Sequence, residues 1–151
     1  MPGDEYWMNE AIELARRAAC RDEVPVGAVL VVDEKLVGRG YNRTISGSDP
    51  TAHAEIEALR DAGRRTGNYR LPGSTLYVTV EPCTMCAGAL IHARVQTLVF
   101  GAREPKAGAV VSTSEVLSNP DLNHRVEVIG GVLADECGNL MSTFFQSRRA
   151  S

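Results

Sequence analysis

Near the middle of the chain, residues 75–86 form the stretch TLYVTVEPCTMC. Its first six residues are mostly apolar, β-branched or aromatic, which favours a buried β-strand over a helix. Pro82 ends that strand, and the small side chains of residues 83–93 favour a helix directly after it. Another β-branched run follows at residues 95–100. A strand, a helix and a second strand in this order predict two parallel strands.

Apolar periodicity predicts the other elements on both sides of this unit. Between residues 4 and 21, apolar side chains recur on one helical face. Two short apolar runs around a turn at residues 33–35 predict a hairpin, and Asp49-Pro50 predicts the start of a helix that ends near Arg65. The predicted helices are 4–21, 50–65, 83–93 and 132–149, and the predicted strands are 26–32, 36–41, 75–80, 95–100 and 126–129.

The order of these elements predicts the α/β class, with helices packed on a mixed sheet. We expect the first two strands to pair antiparallel, and the strands joined through helices to run parallel with right-handed crossovers. The chain has 151 residues, with no internal repeat, low-complexity segment or long linker. It is therefore expected to form a single domain, residues 1–151.

Charge and hydropathy limit the possible classes of protein. The net charge is −3 and the isoelectric point is near 5.6, which disfavours a non-specific nucleic-acid binder but allows RNA at a local basic patch. No apolar run approaches the roughly 20 residues that span a bilayer. The first residues lack the basic and apolar regions of a signal peptide. We expect a cytoplasmic protein without membrane contact.

Two short motifs carry residues that bind transition metals, H-A-E at residues 53–55 and P-C-T-M-C at residues 82–86. Each opens a predicted helix that follows a strand, so both are expected at the same edge of the sheet. Cys83 and Cys86 are three residues apart, which places both sulfurs on one side of a helical turn. With His53 they give three ligands, the number that leaves one position of a zinc ion open to water. The motifs predict one catalytic Zn²⁺ per subunit.

Other uses of the C-x-x-C pair are also open, namely a redox pair or part of a structural zinc site. A structural site needs a fourth ligand, for which the candidates are His92, His124, Cys20 and Cys137. Cys20 and Cys137 lie on apolar helical faces, where we expect core thiols. Glu55 separates these alternatives, because a structural site has no use for an unligated carboxylate beside the metal. At that position Glu55 could serve as a proton shuttle to the zinc-bound water.

At these residues the chain resembles a known family. DPTAHAE at residues 49–55 and EPCTMCAGA at residues 81–89 resemble the metal motifs of the cytidine deaminase superfamily. Four further stretches resemble its tRNA adenosine deaminase branch, namely residues 23–29, 99–103, 123–127 and 133–137. The resemblance covers nearly the whole chain. It implies a three-layer α/β/α sandwich with a mixed five-stranded sheet, a homodimer, and a tRNA anticodon stem-loop as substrate.

The resemblance also implies an activity, the hydrolytic deamination of the wobble adenosine of an arginine tRNA to inosine. In that reaction Glu55 is the proton shuttle, and Asn42, in the loop after the second strand, binds the flipped base. A free-base or nucleotide deaminase of the guanine or cytosine type is the main alternative, since it would use the same metal site. A non-catalytic, zinc-stabilised binding module is a more remote one.

Two positions depart from the family pattern: Glu104 stands where the family commonly has Asp, and Gln146 where it commonly has Arg. The resemblance implies substrate contacts for Glu104 and for Arg148 and Arg149 near the C-terminus. Since the chain is acidic, positive charge that faces RNA must be local. Its candidate sources are Arg43, Arg64, Arg65, Arg70, Arg103, Lys106, Arg148 and Arg149. The acidic residues expected on other faces are Asp22, Glu23, Asp33 and Glu34.

Overall fold

The structure is a computed structural model that describes residues 3–150. Its helices are α1 (Asp4–Cys20), α2 (Ala54–Thr66), α3 (Thr84–His92) and α4 (Ala134–Ala150). Its strands are β1 (Gly27–Val32), β2 (Lys35–Tyr41), β3 (Ser74–Val80), β4 (Thr97–Ala102) and β5 (Glu127–Gly130). A short 3₁₀ helix, Val116–Ser118, lies between β4 and β5. The order of helices and strands is the predicted one.

The five strands form one mixed sheet in the order β2-β1-β3-β4-β5. β1 runs antiparallel to both β2 and β3, whereas β3, β4 and β5 are parallel. At one end of β1, Gly27 lies opposite Tyr41 of β2, and Ala28 lies opposite Val78 of β3. The last residues of β2 and β3 therefore reach the same edge of the sheet.

Helices cover both faces of the sheet, which confirms the predicted three-layer α/β/α sandwich. On one face, Ala58 of α2 and Leu90 of α3 are buried in a cluster with Leu30 of β1. On the other face, Met8 of α1 and Cys137 of α4 are buried in a second cluster, which contains alternate residues of the same strands. The period of two along each strand supplies both clusters. No helix within residues 3–150 is both long enough and apolar enough to cross a membrane.

Helix α2 packs directly against the backbone of β2. A Cβ atom at Gly40 would lie 2.5 Å from the Ala54 carbonyl oxygen, and one at Gly38 would lie 2.5 Å from the Ala58 carbonyl oxygen. Any side chain at these positions would push the helix away, so glycine permits the close approach. This contact fixes the first turn of α2, and with it His53, against the end of β2.

The boundary predicted for α2 was wrong by about one turn. Asp49 does not cap this helix, because its Oδ1 atom accepts hydrogen bonds from the Thr51 amide at 2.9 Å and the Thr51 hydroxyl at 2.7 Å. These bonds form a local turn, and the helix begins only at Ala54, with His53 as the N-cap residue. The turn competes with the helix because an Asp side chain can satisfy backbone groups two residues ahead.

Smaller differences concern β4, α4 and one cysteine. The strand predicted at residues 95–100 spans 97–102, and the helix predicted from residue 132 begins at Ala134. Cys137 is buried, as predicted, but Cys20 is exposed at the end of α1, so the prediction of a core thiol was wrong there. Cys20 follows the fully buried Ala18 by two residues, so it lies on the outward side of the last turn of α1.

Candidate active site

The three predicted metal ligands lie at the starts of two helices on the shared edge of the sheet. His53 is the N-cap residue of α2, and Cys83 is the N-cap residue of α3. Cys86 lies within the first turn of α3 and is fully buried. The partial positive charge of a helix N-terminus stabilises thiolates, so both helices favour the deprotonated ligands that a metal requires.

The spacing of the three donor atoms fits a tetrahedral zinc ion. The His53 Nδ1 atom lies 3.6 Å from the Sγ atoms of both Cys83 and Cys86. Zinc bonds of about 2.0 Å to nitrogen and about 2.3 Å to sulfur would separate tetrahedral ligands by about 3.5 Å. The three donor atoms lie within 4.8 Å of one another, and no fourth His, Cys, Asp or Glu in the described part of the chain joins them.

The residues considered as a fourth ligand lie elsewhere. The Nε2 atom of His124 lies 2.7 Å from the Val95 carbonyl oxygen, a hydrogen bond that holds the ring against the loop before β4. Cys137 belongs to the apolar cluster on the opposite face of the sheet, and Cys20 is exposed. His92 is at the far end of α3 from Cys83. The geometry therefore favours a three-ligand site over a closed structural one.

The two thiols already share one proton unequally. Hydrogen bonds from the Cys86 thiol and the His53 ring lower the pKa of Cys83 to about 3. The Cys86 thiol keeps its proton because it donates to Cys83 and is buried, which raises its pKa well above the usual range. A bound dication would release that proton, because zinc binds cysteine as the thiolate.

Glu55 lies beside the ligand group without belonging to it. It is the second residue of α2 and only 4% exposed. Burial raises the pKa of its carboxyl to about 7, although its own backbone N–H and the neighbouring His53 partly oppose that rise. The carboxyl also contacts the Cys86 thiol. It therefore occupies the predicted place beside the metal ligands.

Asn42 connects the loop after β2 to the start of α2. Its Oδ1 atom accepts a hydrogen bond of 2.8 Å from the Ala54 amide, one of the N–H groups that the first turn of a helix leaves unsatisfied. The side chain is thereby fixed with its carbonyl directed at the helix. Within residues 3–150 its Nδ2 group donates to no protein atom, so it is available to an acceptor on a substrate.

A buried carboxylate, Glu23, holds the loop that Asn42 begins. It is 1% exposed and accepts hydrogen bonds from the amides of Ile45 at 3.1 Å and Ser46 at 2.7 Å. Burial alone would raise its pKa, but these hydrogen bonds outweigh burial and lower it. The expectation that Glu23 lies on a remote face was wrong, because the loop has N–H groups that need a buried acceptor.

A second buried carboxylate, Glu81, holds the loop after β4. It is 3% exposed, and its oxygens accept from the amides of Glu104, Val110, Val111 and Ser112 at 2.7–3.1 Å and from the Ser112 hydroxyl. Burial would raise its pKa, but these hydrogen bonds together lower it to about 2. Since Glu81 lies two residues before Cys83, it joins this loop to the metal ligands.

Sequence reasoning missed the roles of Glu23 and Glu81. Each lies at one end of a strongly apolar run, Glu23 before residues 24–32 and Glu81 after residues 75–80. An acidic residue at the end of a buried strand needs hydrogen-bond donors, and that position was the available signal. The donors themselves are backbone amides 22 to 31 residues away, which no local pattern identifies.

The other predicted substrate residues lie in two separate surface cavities. Glu104 and Arg149 line one cavity of about 650 Å³ together with Gln146. Arg148 lies in the groove between α1 and α4, where its guanidinium contacts the Asp22 carboxylate at 3.2 Å. The expectation that Asp22 lies away from the basic residues was therefore wrong, because it lies directly against Arg148.

Comparison with known proteins identifies the type of site. The sequence model of one protein family, the cytidine and deoxycytidylate deaminase zinc-binding region, matches residues 1–102 of this chain. The chain is 54% identical to the tRNA-specific adenosine deaminase of Haemophilus influenzae over 147 residues, which cover 97% of this chain and 85% of the relative. This similarity extends well beyond the metal motifs.

Solved structures show the same likeness. A structure from a study of A-to-I editing by tRNA:A34 deaminases at the wobble position of transfer RNA superposes with a TM-score of 0.87 and 47% identity. The superposition covers 89% of this chain and 98% of the chain in the solved structure. A guanine deaminase from Nitrosomonas europaea superposes with a TM-score of 0.79 and 27% identity, covering 95% of this chain and 85% of that one.

Loss of either thiol is expected to abolish metal binding. Purified Cys83→Ser and Cys86→Ser proteins should contain almost no zinc by elemental analysis after dialysis against a weak chelator. A hydroxyl is a poor zinc ligand in protein sites, and only two donors would remain. Cys20→Ser, a substitution at an exposed thiol outside the site, is the control and should keep one zinc per chain. Full zinc occupancy in both site variants would contradict the assignment.

Replacement of Glu81 by Gln is expected to loosen the loop after β4. The amide group keeps the shape but turns one acceptor into a donor that faces backbone N–H groups, at a cost of at least about 2 kcal/mol of unfolding free energy. Hydrogen exchange of the amides of Val110, Val111 and Ser112 should accelerate while zinc content is unchanged. Glu34→Gln, in the exposed turn before β2, is the control. Wild-type protection of these amides in Glu81→Gln would refute the role.

Proposed function

Because the chain belongs to the tRNA-specific adenosine deaminases, within the cytidine and deoxycytidylate deaminase family, we propose that it converts the wobble adenosine of a tRNA anticodon stem-loop to inosine. An arginine tRNA is the proposed substrate, and the cytoplasm is the proposed location. The proposal rests on 54% identity to the Haemophilus influenzae enzyme over nearly the full length of the chain. The site agrees with it, because three metal-binding side chains lie beside the buried Glu55.

One Zn²⁺ per subunit is proposed at His53, Cys83 and Cys86. When bound there, the metal lowers the pKa of a water molecule and so supplies the nucleophile at neutral pH. Its charge is balanced by the two thiolates. The three protein donors leave one position open, which is the requirement for this chemistry.

Glu55 is proposed to move the protons of the reaction. Its carboxylate accepts a proton from the attacking water and delivers it to N1 of adenine, which makes C6 more electrophilic. The water oxygen forms a bond to C6. Glu55 then transfers the second proton of the water to the departing N6 amine, the C6–N6 bond breaks, and ammonia leaves. Water and adenosine are thereby converted to inosine and ammonia.

Asn42 is proposed to orient the base. Its carbonyl is already committed to the Ala54 amide, so its Nδ2 group is the part of the side chain that can donate to the base. The adenosine must leave any stack to reach the pocket, and an anticodon loop makes that inexpensive in energy. Glu104, Arg148 and Arg149 are proposed further contacts to the RNA, and the working form is proposed to be a homodimer.

The main alternative is a deaminase of free guanine or cytosine. The solved guanine deaminase shares the fold, but its identity of 27% is well below the 47% of the tRNA:A34 deaminase structure. A non-catalytic zinc module is disfavoured because only three protein donors meet within residues 3–150 and a buried carboxylate lies beside them. The comparison therefore favours an RNA substrate.

The test is incubation with an arginine tRNA transcript that carries adenosine at the wobble position, followed by sequencing for inosine. The wild-type protein should form inosine at that position, and Glu55→Gln should lose turnover by at least about 10²–10⁴-fold while it keeps its zinc. A transcript with guanosine at the wobble position is the control. Ammonia release from free guanine or cytosine, without inosine in the tRNA, would instead establish the alternative.

A further inference from the structure

A basic cavity of about 230 Å³ lies beside β2, the outer strand of the sheet, and is lined by residues of α1, β2 and α2. Five arginines line it, namely Arg17, Arg39, Arg43, Arg64 and Arg65. Two acidic residues, Glu57 and Asp61, also line it, so its charged side chains give a local net charge of +3. The whole chain has a net charge of −3, which makes this concentration of positive charge unusual for the molecule.

Most of these guanidinium groups are not neutralised by neighbours. Arg65 pairs with Asp61 at 3.1 Å. The other four arginines of the cavity form no ion pair in the part of the chain that the structure describes, and all four are exposed. Each guanidinium carries five N–H donors in a planar fork. The cavity thus presents a set of unused donors that converge on one concave surface.

Helix ends account for only part of this arrangement. Arg17 lies in the last turn of α1, and Arg64 and Arg65 lie in the last turn of α2, where basic side chains stabilise the helix dipole. Arg39 is on strand β2 and Arg43 is in the loop after it, where no helix end favours a positive charge. Their convergence with the helical arginines therefore points to an anionic ligand.

The cavity borders the metal site. Tyr41 and Arg43, both in its lining, flank Asn42 in the chain. The Arg43 amide donates a hydrogen bond of 2.9 Å to the carbonyl of Ala52, the residue before His53. Glu57, a third lining residue, follows Glu55 by two positions in α2. The cavity is therefore lined by residues next to Asn42, in a loop that is hydrogen-bonded to the residue before His53.

We propose that this cavity binds phosphate groups of the RNA backbone on one side of the nucleotide whose base enters the zinc site. The proposal rests on the function proposed above, because it takes the same RNA as the ligand. Arginine forks match pairs of phosphate oxygens, and several phosphates in sequence suit several arginines along one surface. Arg17 of α1 and Arg39 of β2 would extend the contact along the outer strand β2.

The test measures the affinity of the zinc-loaded protein for the tRNA over a series of salt concentrations. The Arg17→Ala/Arg39→Ala protein should bind at least about tenfold more weakly at low salt. The slope of log K against log salt concentration should become shallower by about 0.7–0.9 for each phosphate that the variant no longer neutralises. In deamination assays the effect should fall mainly on KM. Lys35→Ala is the control, because Lys35 is an exposed basic residue at the start of β2, at the opposite end of that strand from Arg43.

Two results would separate the possible failures. If the wild-type protein forms inosine but the Arg17→Ala/Arg39→Ala protein matches Lys35→Ala in affinity and salt slope, the cavity does not contact RNA and this inference is overturned. If the double substitution weakens tRNA binding but the wild-type protein forms no inosine, the cavity is supported and the proposed function fails. Thermal unfolding of each variant confirms that the comparison is made on folded protein.

Discussion

Strand β1 runs antiparallel to both of its neighbours, and the metal site depends on this pairing. Since β2 and β3 both run opposite to β1, they end at the same edge of the sheet. The helices that follow them, α2 and α3, therefore begin close together, and their first turns supply His53, Cys83 and Cys86. The glycines of β2 allow α2 to approach the sheet closely enough to bring these donors within 4.8 Å of one another.

Two buried carboxylates, Glu23 and Glu81, hold loops next to the site, and their oxygens accept hydrogen bonds from N–H and hydroxyl groups. Glu23 holds the loop that begins with Asn42, and Glu81 holds the loop after β4 that carries Glu104. Neither forms an ion pair with any described residue. A buried charge of this kind is tolerated only when its hydrogen bonds are complete, so each loop is held in one arrangement. Glu55 differs, because it has fewer donors and a raised pKa, which suits a group that exchanges protons.

The features that the sequence predicted are those set by neighbouring residues. Apolar β-branched runs, a proline stop and the C-x-x-C spacing are local, and they predicted helices packed on a mixed sheet and the ligand group. The three-layer arrangement was implied by the resemblance to the family. The start of α2 was missed because an Asp49 turn competes with the helix at the same residues. The hydrogen-bond partners of Glu23 and Glu81 lie more than 20 residues away in the chain. The arginines of the basic cavity come from α1, β2, α2 and the loop after β2. Such contacts depend on the tertiary fold and have no local signature.

We expect three protein donors to hold the zinc ion and to leave its fourth position to water. X-ray absorption at the zinc edge of the purified protein tests this expectation most directly. The spectrum should show two sulfur ligands at about 2.3 Å and two lighter ligands, one nitrogen and one oxygen, at about 2.0–2.1 Å. The same spectrum is expected for Glu55→Gln, because Glu55 is not a ligand. A spectrum with four protein ligands, or one whose ligand set changes in Glu55→Gln, would contradict a three-ligand site with an open fourth position.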